Sequence, residues 1–310
     1  MRNYFANSLY KKIKKNRKII LLSADIGNRL FDKIKKDFPN NFLNCGIAEP
    51  NMITFATGMA KEGFVPVCYT ITNFLIYKSI EQIRNDAIYN NNKIILVGTG
   101  SGMSYNHLGP THHSLEDIGL LNNLPNIKIL SPADNNDLEE HLKYSFNNKN
   151  NQTTYLRIGK KNEPIINKTK AKINTINKVS EVNSKIALIF TGPLFDSISE
   201  VQKKLKQRNI NIDILNLHQI KPFGKLMINS LKKYNIIYTI EEHFPETGIK
   251  GIISSKLSDK KIIIKSINNK NEFISYLGSR KYVRKKFGIS GNRAYKIIID
   301  DTIKNRNRLR

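Results

Sequence analysis

The chain is poor in cysteine and in acidic residues, and it lacks any long apolar run. Two cysteines in 310 residues, Cys45 and Cys68, make no disulfide framework, and both lie in apolar segments, as expected of thiols in a reducing cytoplasm. No apolar stretch approaches the ~20 residues that cross a bilayer, so a soluble protein without a membrane partner is expected. The N-terminus, Met1-Arg2-Asn3-Tyr4-Phe5-Ala6-Asn7, lacks the basic-then-apolar pattern of a secretory signal. Asp and Glu number 25 against 51 Lys and Arg, a net charge of +26 that would suit a nucleic-acid binder. The basic residues are mostly Lys, spread along the whole chain among abundant Asn and Ile, so the charge reads mainly as a solvated surface. An acidic partner subunit or an anionic substrate would also benefit from it, and nucleic acid is not the expected partner.

Several familiar site patterns are missing as well. Gly98-Thr99-Gly100-Ser101-Gly102 matches neither the Walker nor the Rossmann phosphate fingerprint. Gly100-Ser101-Gly102 is too tight for a Gly-x-Ser-x-Gly elbow. Adjacent His112 and His113 have neither the spacing nor the Cys or carboxylate neighbours of a metal pair, so no metal site is expected in this chain. Internal repeats and long low-complexity segments are absent.

What is present is alternation. A chain of 310 residues can hold two domains. Phe5, Leu9, Tyr10 and Ile13 recur at helical spacing over 3–16, and Lys18-Ile19-Ile20-Leu21-Leu22-Ser23 reads as a buried parallel strand ending at Ala24-Asp25. Helices follow at about 28–36 and 49–62, a strand at 66–71, a helix at about 73–89 and a strand at 93–97. After the Gly-rich loop come a short helix from Ser114, strand 127–130, a helix opened by the N-cap candidate Asp134, and strand 153–157. Strands alternating with helices predict a doubly wound α/β layer. The stretch 161–184 is polar and turn-rich and reads as a linker. A second α/β unit spans 185–310, with strands at 185–192, 211–216, 236–240 and 261–265, and a basic tail that ends in a helix.

Glu49 is the residue that asks for an explanation. It sits in Asn44-Cys45-Gly46-Ile47-Ala48-Glu49-Pro50-Asn51-Met52, among small or apolar neighbours and ahead of a long apolar run. Taken alone, a Glu in the first turn of a helix favours the positive end of the dipole. Two further features lie at the C-terminal ends of predicted strands, where open α/β sheets place ligands. Ile71, Phe74 and Tyr77 fall at steps of three on one helix face, which by spacing alone would be core packing; Asn106-His107-Leu108-Gly109-Pro110-Thr111-His112-His113 follows the Gly-rich loop.

As an ordered set these stretches resemble the C-terminal half of transketolase and of 1-deoxyxylulose-5-phosphate synthase. Gly46-Ile47-Ala48-Glu49 is similar to the family's Gly-Ile-x-Glu motif. Gly109-Pro110-Thr111-His112-His113, Leu124-Pro125-Asn126-Ile127 and Ser131-Pro132-Ala133-Asp134 resemble its Gly-Pro-Thr-His-Gln, Pro-Asn and Pro-Ala-Asp segments. Ile220-Lys221-Pro222-Phe223 and Thr239-Ile240-Glu241-Glu242-His243 are similar to elements of its last domain, so the likeness covers about 1–260.

The resemblance implies a thiamine diphosphate pyrimidine-binding domain over 1–160 and a transketolase C-terminal domain over 185–310. It also implies a partner, because the Gly-Asp-Gly motif that carries Mg2+ in the diphosphate-binding domain is absent here. The chain would then be the C-terminal subunit of a split, cytoplasmic, carbohydrate-metabolising transferase. Its partner would be an N-terminal diphosphate-binding subunit, in an α2β2 heterotetramer. The reaction implied is passage of a two-carbon ketol unit from a ketose to an aldehyde. By the same resemblance Glu49 hydrogen-bonds the ring nitrogen of the cofactor's aminopyrimidine, a bond that a desolvated carboxyl favours. Phe74 stacks on that ring, Ile71 and Tyr77 complete the wall, and Asp25 matches an acidic residue near the cofactor. His112, with His107 near it, meets the sugar oxygens, and Arg2 and Arg157 match the arginines that grip a substrate phosphate.

Departures from the family pattern bear on the substrate. A histidine expected near Gly100 is missing, the aspartate expected before Gly109 is Leu108, and the aromatic expected at Ile71 is absent. A specialised sugar or sugar phosphate fits these changes better than the common pentose phosphates. The rival enzymatic readings are the β chain of a 2-oxoacid dehydrogenase decarboxylating component and a 1-deoxyxylulose-5-phosphate synthase-like activity. A non-catalytic polyanion-binding protein is the alternative of another class.

Overall fold

The apolar face of Phe5, Ala6, Leu9 and Ile13 is buried on α1 (Arg2–Lys15), and the strand that follows, β1 (Ile19–Ser23), is buried at every residue. This computed structural model describes all residues except 148, 150, 161, 162, 168, 269, 309 and 310, and gives backbone alone for 304–308. The first unit continues through α2 (Asp32–Asp37), β2 (Phe42–Asn44), α3 (Glu49–Lys61), β3 (Val65–Ile71), α4 (Thr72–Tyr77) and α5 (Ile80–Gln82). A π-helical turn over Ile83–Tyr89 leads to β4 (Ile95–Thr99), α6 (Asp117–Asn122), β5 (Ile127–Leu130), α7 (Asn135–Ser145) and β6 (Thr153–Ile158). The second unit runs β7 (Asn177–Ser180), β8 (Ile186–Phe190), α8 (Phe195–Gln207), β9 (Asp213–Asn216), β10 (Gln219–Lys221), α9 (Lys225–Leu231) and β11 (Ile236–Ile240). It closes with α10 (Ile249–Lys256), β12 (Ile263–Ser266), α11 (Arg280–Phe287) and α12 (Gly291–Arg308).

Two mixed, mainly parallel sheets result, as the alternation predicts. The first has the order β10-β5-β6-β4-β3-β1-β2 and the second β12-β11-β8-β9-β7. In the first sheet the chain passes from β1 outward to β2, then returns to β3 on the other side of β1 and winds away through β4. The order therefore reverses between β1 and β3, and the crevice at their C-terminal ends is where such a sheet takes a ligand. Glu49 follows β2 and Phe74 follows β3, so the winding brings both to that crevice.

The two units are clasped together. β10, from the second, pairs antiparallel with β5 at the edge of the first sheet. One apolar cluster runs from Leu22, Met52 and Leu96 through Ile129 to Ala187, Leu215 and Ile237, so the seam is part of the core. Polar pairs reinforce it: His141 Nε2 lies 2.9 Å from His218 Nδ1, and Asn216 Nδ2 donates to Asp137 Oδ2 at 2.6 Å. Among the described residues no helix is long and apolar enough to cross a membrane.

The structure departs from the sequence reading in several places. The helix predicted over 73–89 is broken: α4 ends at Tyr77, Ser79 leaves helical geometry (φ −121°, ψ 15°), and the chain resumes as α5 and the π-turn. The helix predicted from 28 begins at Asp32, and the one predicted from Ser114 begins at Asp117. Part of the stretch read as linker, Asn177–Ser180, forms β7, because its alternately buried Asn177 and Val179 cover the free edge of β9. β2 and β10 carry three residues each, too few for a period to register. By contrast Asp134 is the N-cap of α7 as predicted, accepting from Asn136 N at 2.9 Å and Asp137 N at 3.1 Å, a cap worth ~1 kcal/mol.

Candidate active site

Glu49 is the first residue of α3 and is 1% exposed. Ala48, at the cap, offers no side-chain acceptor, so the carboxylate itself supplies negative charge at the helix N-terminus. The ion pair given to it among the described residues is with Lys78, whose Nζ contacts Glu49 Oε2 while 43% of the lysine side chain stays exposed. The loop before Glu49 is tied back to β1. Asn44 Oδ1 accepts from Asp25 N at 3.0 Å and from Gly46 N at 3.1 Å, and Asn44 Nδ2 donates to Asp25 Oδ1 at 3.1 Å. Asp25 is exposed and left-handed (φ 47°), and thus braces the Glu49 loop through Asn44.

Across the crevice the start of α4 supplies an aromatic wall. Ile71 is the N-cap of this helix and is buried, while Phe74 and Tyr77 are half-buried. Asn73 pins the helix to the next loop, donating to His113 O at 2.8 Å. Tyr77 is turned toward Glu116, to whose carboxylate its hydroxyl donates; burial and the neighbouring carboxylates push its pKa well up, so it stays a neutral donor.

His112 meets this wall. Its ring stands edge-on to Phe74 with centroids 5.1 Å apart, and Tyr105 is 6.0 Å away on another side. Partial burial lowers the His112 pKa, and the charges of His107 and Lys160 lower it further, which favours the neutral imidazole. Lys160 Nζ lies 4.3 Å from the centre of the Tyr105 ring, and the nearby charge of Arg2 lowers the Tyr105 pKa against the rise caused by burial. Glu49, Lys78, Phe74, His112, Tyr105 and the cations Arg2 and Lys160 thus form one chain of neighbours. His107 is exposed at the rim.

Arg157 stands elsewhere. Its side chain is 2% exposed and committed to protein: Nε donates to Asp117 Oδ2 at 2.7 Å, and Nη2 to Ser114 O at 3.0 Å and Glu242 O at 3.1 Å. Nε and Nη2 are thereby committed to the seam between the two units, so the grip on a substrate phosphate expected of Arg157 would fall to its remaining Nη1. Lys160, three residues on, lies beside the site.

The missing histidine near Gly100 also has a physical account. Gly100 has φ +82°, and a Cβ there would overlap the Tyr105 ring. No side chain fits, and Tyr105 takes the space. The loop that carries His112 is held by the second unit: Asn106 Nδ2 donates to Gly278 O, and Met103 N donates to Glu242 Oε2 at 3.0 Å.

Sequence reasoning missed Lys78, Tyr105, Asn44 and Lys160. Lys78 had a signal, since Phe74 and Lys78 are four apart and share a helix face; the others are placed by loops that carry no period. Among the described residues no group of His, Cys, Asp and Glu side chains lies together so as to hold a metal ion.

The fold and the site define a doubly wound α/β protein with a buried carboxylate and an aromatic ring at the switch crevice of its first sheet. Residues 1–164 match the transketolase pyrimidine binding domain and residues 175–290 the transketolase C-terminal domain. The chain belongs to the transketolase family, whose members are thiamine diphosphate-dependent transferases, and has the domain content of the C-terminal subunit of a split transketolase-like enzyme. It is 29% identical to a subunit of the apulose-4-phosphate transketolase of Actinobacillus succinogenes over 83% of both chains. The corresponding subunit from Phocaeicola vulgatus, which bears the same name, is 25% identical over 90% of each chain. In fold it matches a split gene transketolase solved as an inactive beta4 tetramer, with TM-score 0.83 and 22% identity over 96% of both chains.

Proposed function

We propose that this chain provides the pyrimidine half of the active site in a two-chain, thiamine diphosphate-dependent enzyme that moves a two-carbon ketol unit from a phosphorylated ketose to an aldehyde. The carrying observation is Glu49, 1% exposed and facing the wall formed by Phe74 across the switch crevice. Those two residues suit the aminopyrimidine: the carboxyl would hold a proton at the ring nitrogen, and Phe74 would stack on the ring, with Ile71 and Tyr77 beside it. Bound thiamine diphosphate supplies the electron sink for cleavage of the ketose C2–C3 bond. His112, whose lowered pKa favours the neutral imidazole, would hydrogen-bond sugar oxygens, and Arg2 with Lys160 would form a cationic end suited to a phosphate.

The diphosphate and its Mg2+ are assigned to an N-terminal partner subunit in an α2β2 assembly. Ile47, 78% exposed only two residues before the buried Glu49, and Phe55, 47% exposed on α3, support a partner covering this side. The free thiols Cys45 and Cys68 suit a cytoplasmic setting. Apulose 4-phosphate is the first donor to try, because two of the relatives are subunits of apulose-4-phosphate transketolases.

The test is reconstitution with the diphosphate-binding subunit, followed by assay of ketol transfer from apulose 4-phosphate and from common ketose phosphates. Transfer to an aldehyde is the expected result. Decarboxylation of a 2-oxoacid with acylation of lipoamide, and no ketol transfer, would overturn it.

A further inference from the structure

Lys78 plays no part in the chemistry just described, yet it occupies the centre of the site. Its ammonium contacts Glu49 Oε2 and lies 5.7 Å from the centre of the Phe74 ring. The carboxylate and the aromatic face are the two walls of the crevice, and the cation bridges them. Lys78 is four residues after Phe74, on the same helix face, and follows the last residue of α4. With 43% of its side chain exposed, the aliphatic stem reaches in from solvent and leaves the ammonium a route back to it. Glu49 has the opposite problem: a carboxylate with 2% of its side chain exposed is destabilising unless something pairs with it.

Building on the assignment of Glu49 to the aminopyrimidine, we propose that Lys78 is an internal counter-ion that occupies the cofactor's place on Glu49, and that thiamine diphosphate binds by displacing it. Any flat ring that both hydrogen-bonds Glu49 and covers Phe74 meets the ammonium group there. Lys78 stabilises the free chain by pairing the buried carboxylate, and it lowers cofactor affinity by the fraction of molecules in which that pair is closed. Cofactor uptake is thereby coupled to release of a lysine that then faces the crevice mouth.

The test uses Lys78→Met and Lys78→Arg. In the free chain Lys78→Met is expected to lower the melting temperature by about 3 °C when Glu49 is present, and to leave it unchanged in a Glu49→Gln background. In the complex with the diphosphate-binding subunit, calorimetry with thiamine diphosphate and Mg2+ is expected to give about ten-fold tighter binding for Lys78→Met than for the wild type, and no gain for Lys78→Arg. Should Lys78→Met fail to fold, Lys78→Gln keeps a donor without the charge and is judged by the same criteria. Wild-type binding with an unchanged or weaker Kd in the uncharged variant would overturn the role of Lys78 and leave that of Glu49 standing. Uptake by neither protein would overturn both.

Discussion

Arg157 Nε lies 2.7 Å from Asp117 Oδ2, both side chains almost wholly buried, and the guanidinium also reaches the Glu242 carbonyl of the second unit at 3.1 Å. Burial pushes the Asp117 carboxyl up, but Arg157, together with His243, outweighs it and holds the carboxyl below its ordinary range. Removing one partner of such a pair leaves an uncompensated charge, which costs about 3–5 kcal/mol. Arg157→Met is therefore expected to lose stability of that order in urea denaturation. Retained stability with a raised KM for the phosphorylated donor would instead put Arg157 at the substrate.

Glu242 is a second fixed point. Oε1 accepts from Arg284 Nε at 2.5 Å and Arg280 Nε at 3.1 Å, while Oε2 accepts from Arg280 Nη2 at 2.8 Å and Met103 N at 3.0 Å. A Cβ on Gly102 would overlap that second oxygen, so loop and carboxylate are in direct contact. Glu242→Gln turns an acceptor into a donor against these cations. Faster limited proteolysis near residues 98–104 and 280–290 is the expected outcome, with a melting temperature several degrees lower by the ~3 kcal/mol scale of such losses. An unchanged melting curve and digestion pattern would remove Glu242 from the account of how the His112 loop is held.

Stability should depend on pH with a calculable sign. Burial pushes His218 and His243 down to about 4 and His141 well below its ordinary value, so the fold prefers these imidazoles neutral. Their contribution is full above the ordinary histidine pKa and is lost as pH falls from there toward 4. Burial pushes Glu241 up to about 8 and Asp137 to about 7, and their contribution runs the other way, full at low pH and lost as pH rises toward those values. Below ~6.5 these imidazoles, with His112 and His113 also lowered by burial, outweigh the two carboxyls, and above it the carboxyls prevail until Lys128, pushed down to about 8 by burial, begins to titrate. Denaturation across pH 5–8.5 is expected to give a stability maximum near ~6.5. Glu241→Gln is expected to flatten the alkaline side, and an unaltered alkaline side would contradict the assignment.

Lys160 is expected to act on substrate and on His112 together. Lys160→Met should raise KM for a phosphorylated donor about ten-fold, the ~1.4 kcal/mol of one partly solvated charge contact, with kcat little changed. The same variant should raise the His112 pKa in an NMR titration, because a neighbouring positive charge is removed. A KM that does not move would separate Lys160 from the phosphate.

Much of the fold was legible because its period is strong. β1, β5 and β11 lie where continuous apolar runs predict them, and the cap at Asp134 where an Asp precedes an amphipathic run. What the sequence hid is short or non-local. β2 and β10 are too brief to carry a period, and β7 is a strand because β9 offers it an edge. The break at Ser79 interrupts a run of helix formers without Gly or Pro. In the site, Glu49, Phe74 and His112 could be named from ordered motifs. That Arg157 turns inward while Lys160 lies near His112 depends on which face of β6 and its following loop meets the seam, and no local pattern carries that information.

The most direct test of the account is turnover of the reconstituted two-subunit enzyme carrying Glu49→Ala, with folding checked by its melting curve. Removal of the carboxyl proposed to hold the proton at the cofactor ring is expected to leave the fold in place and cut kcat by roughly 10²–10⁴. Turnover at the wild-type rate would contradict the assignment of Glu49 and the function built on it.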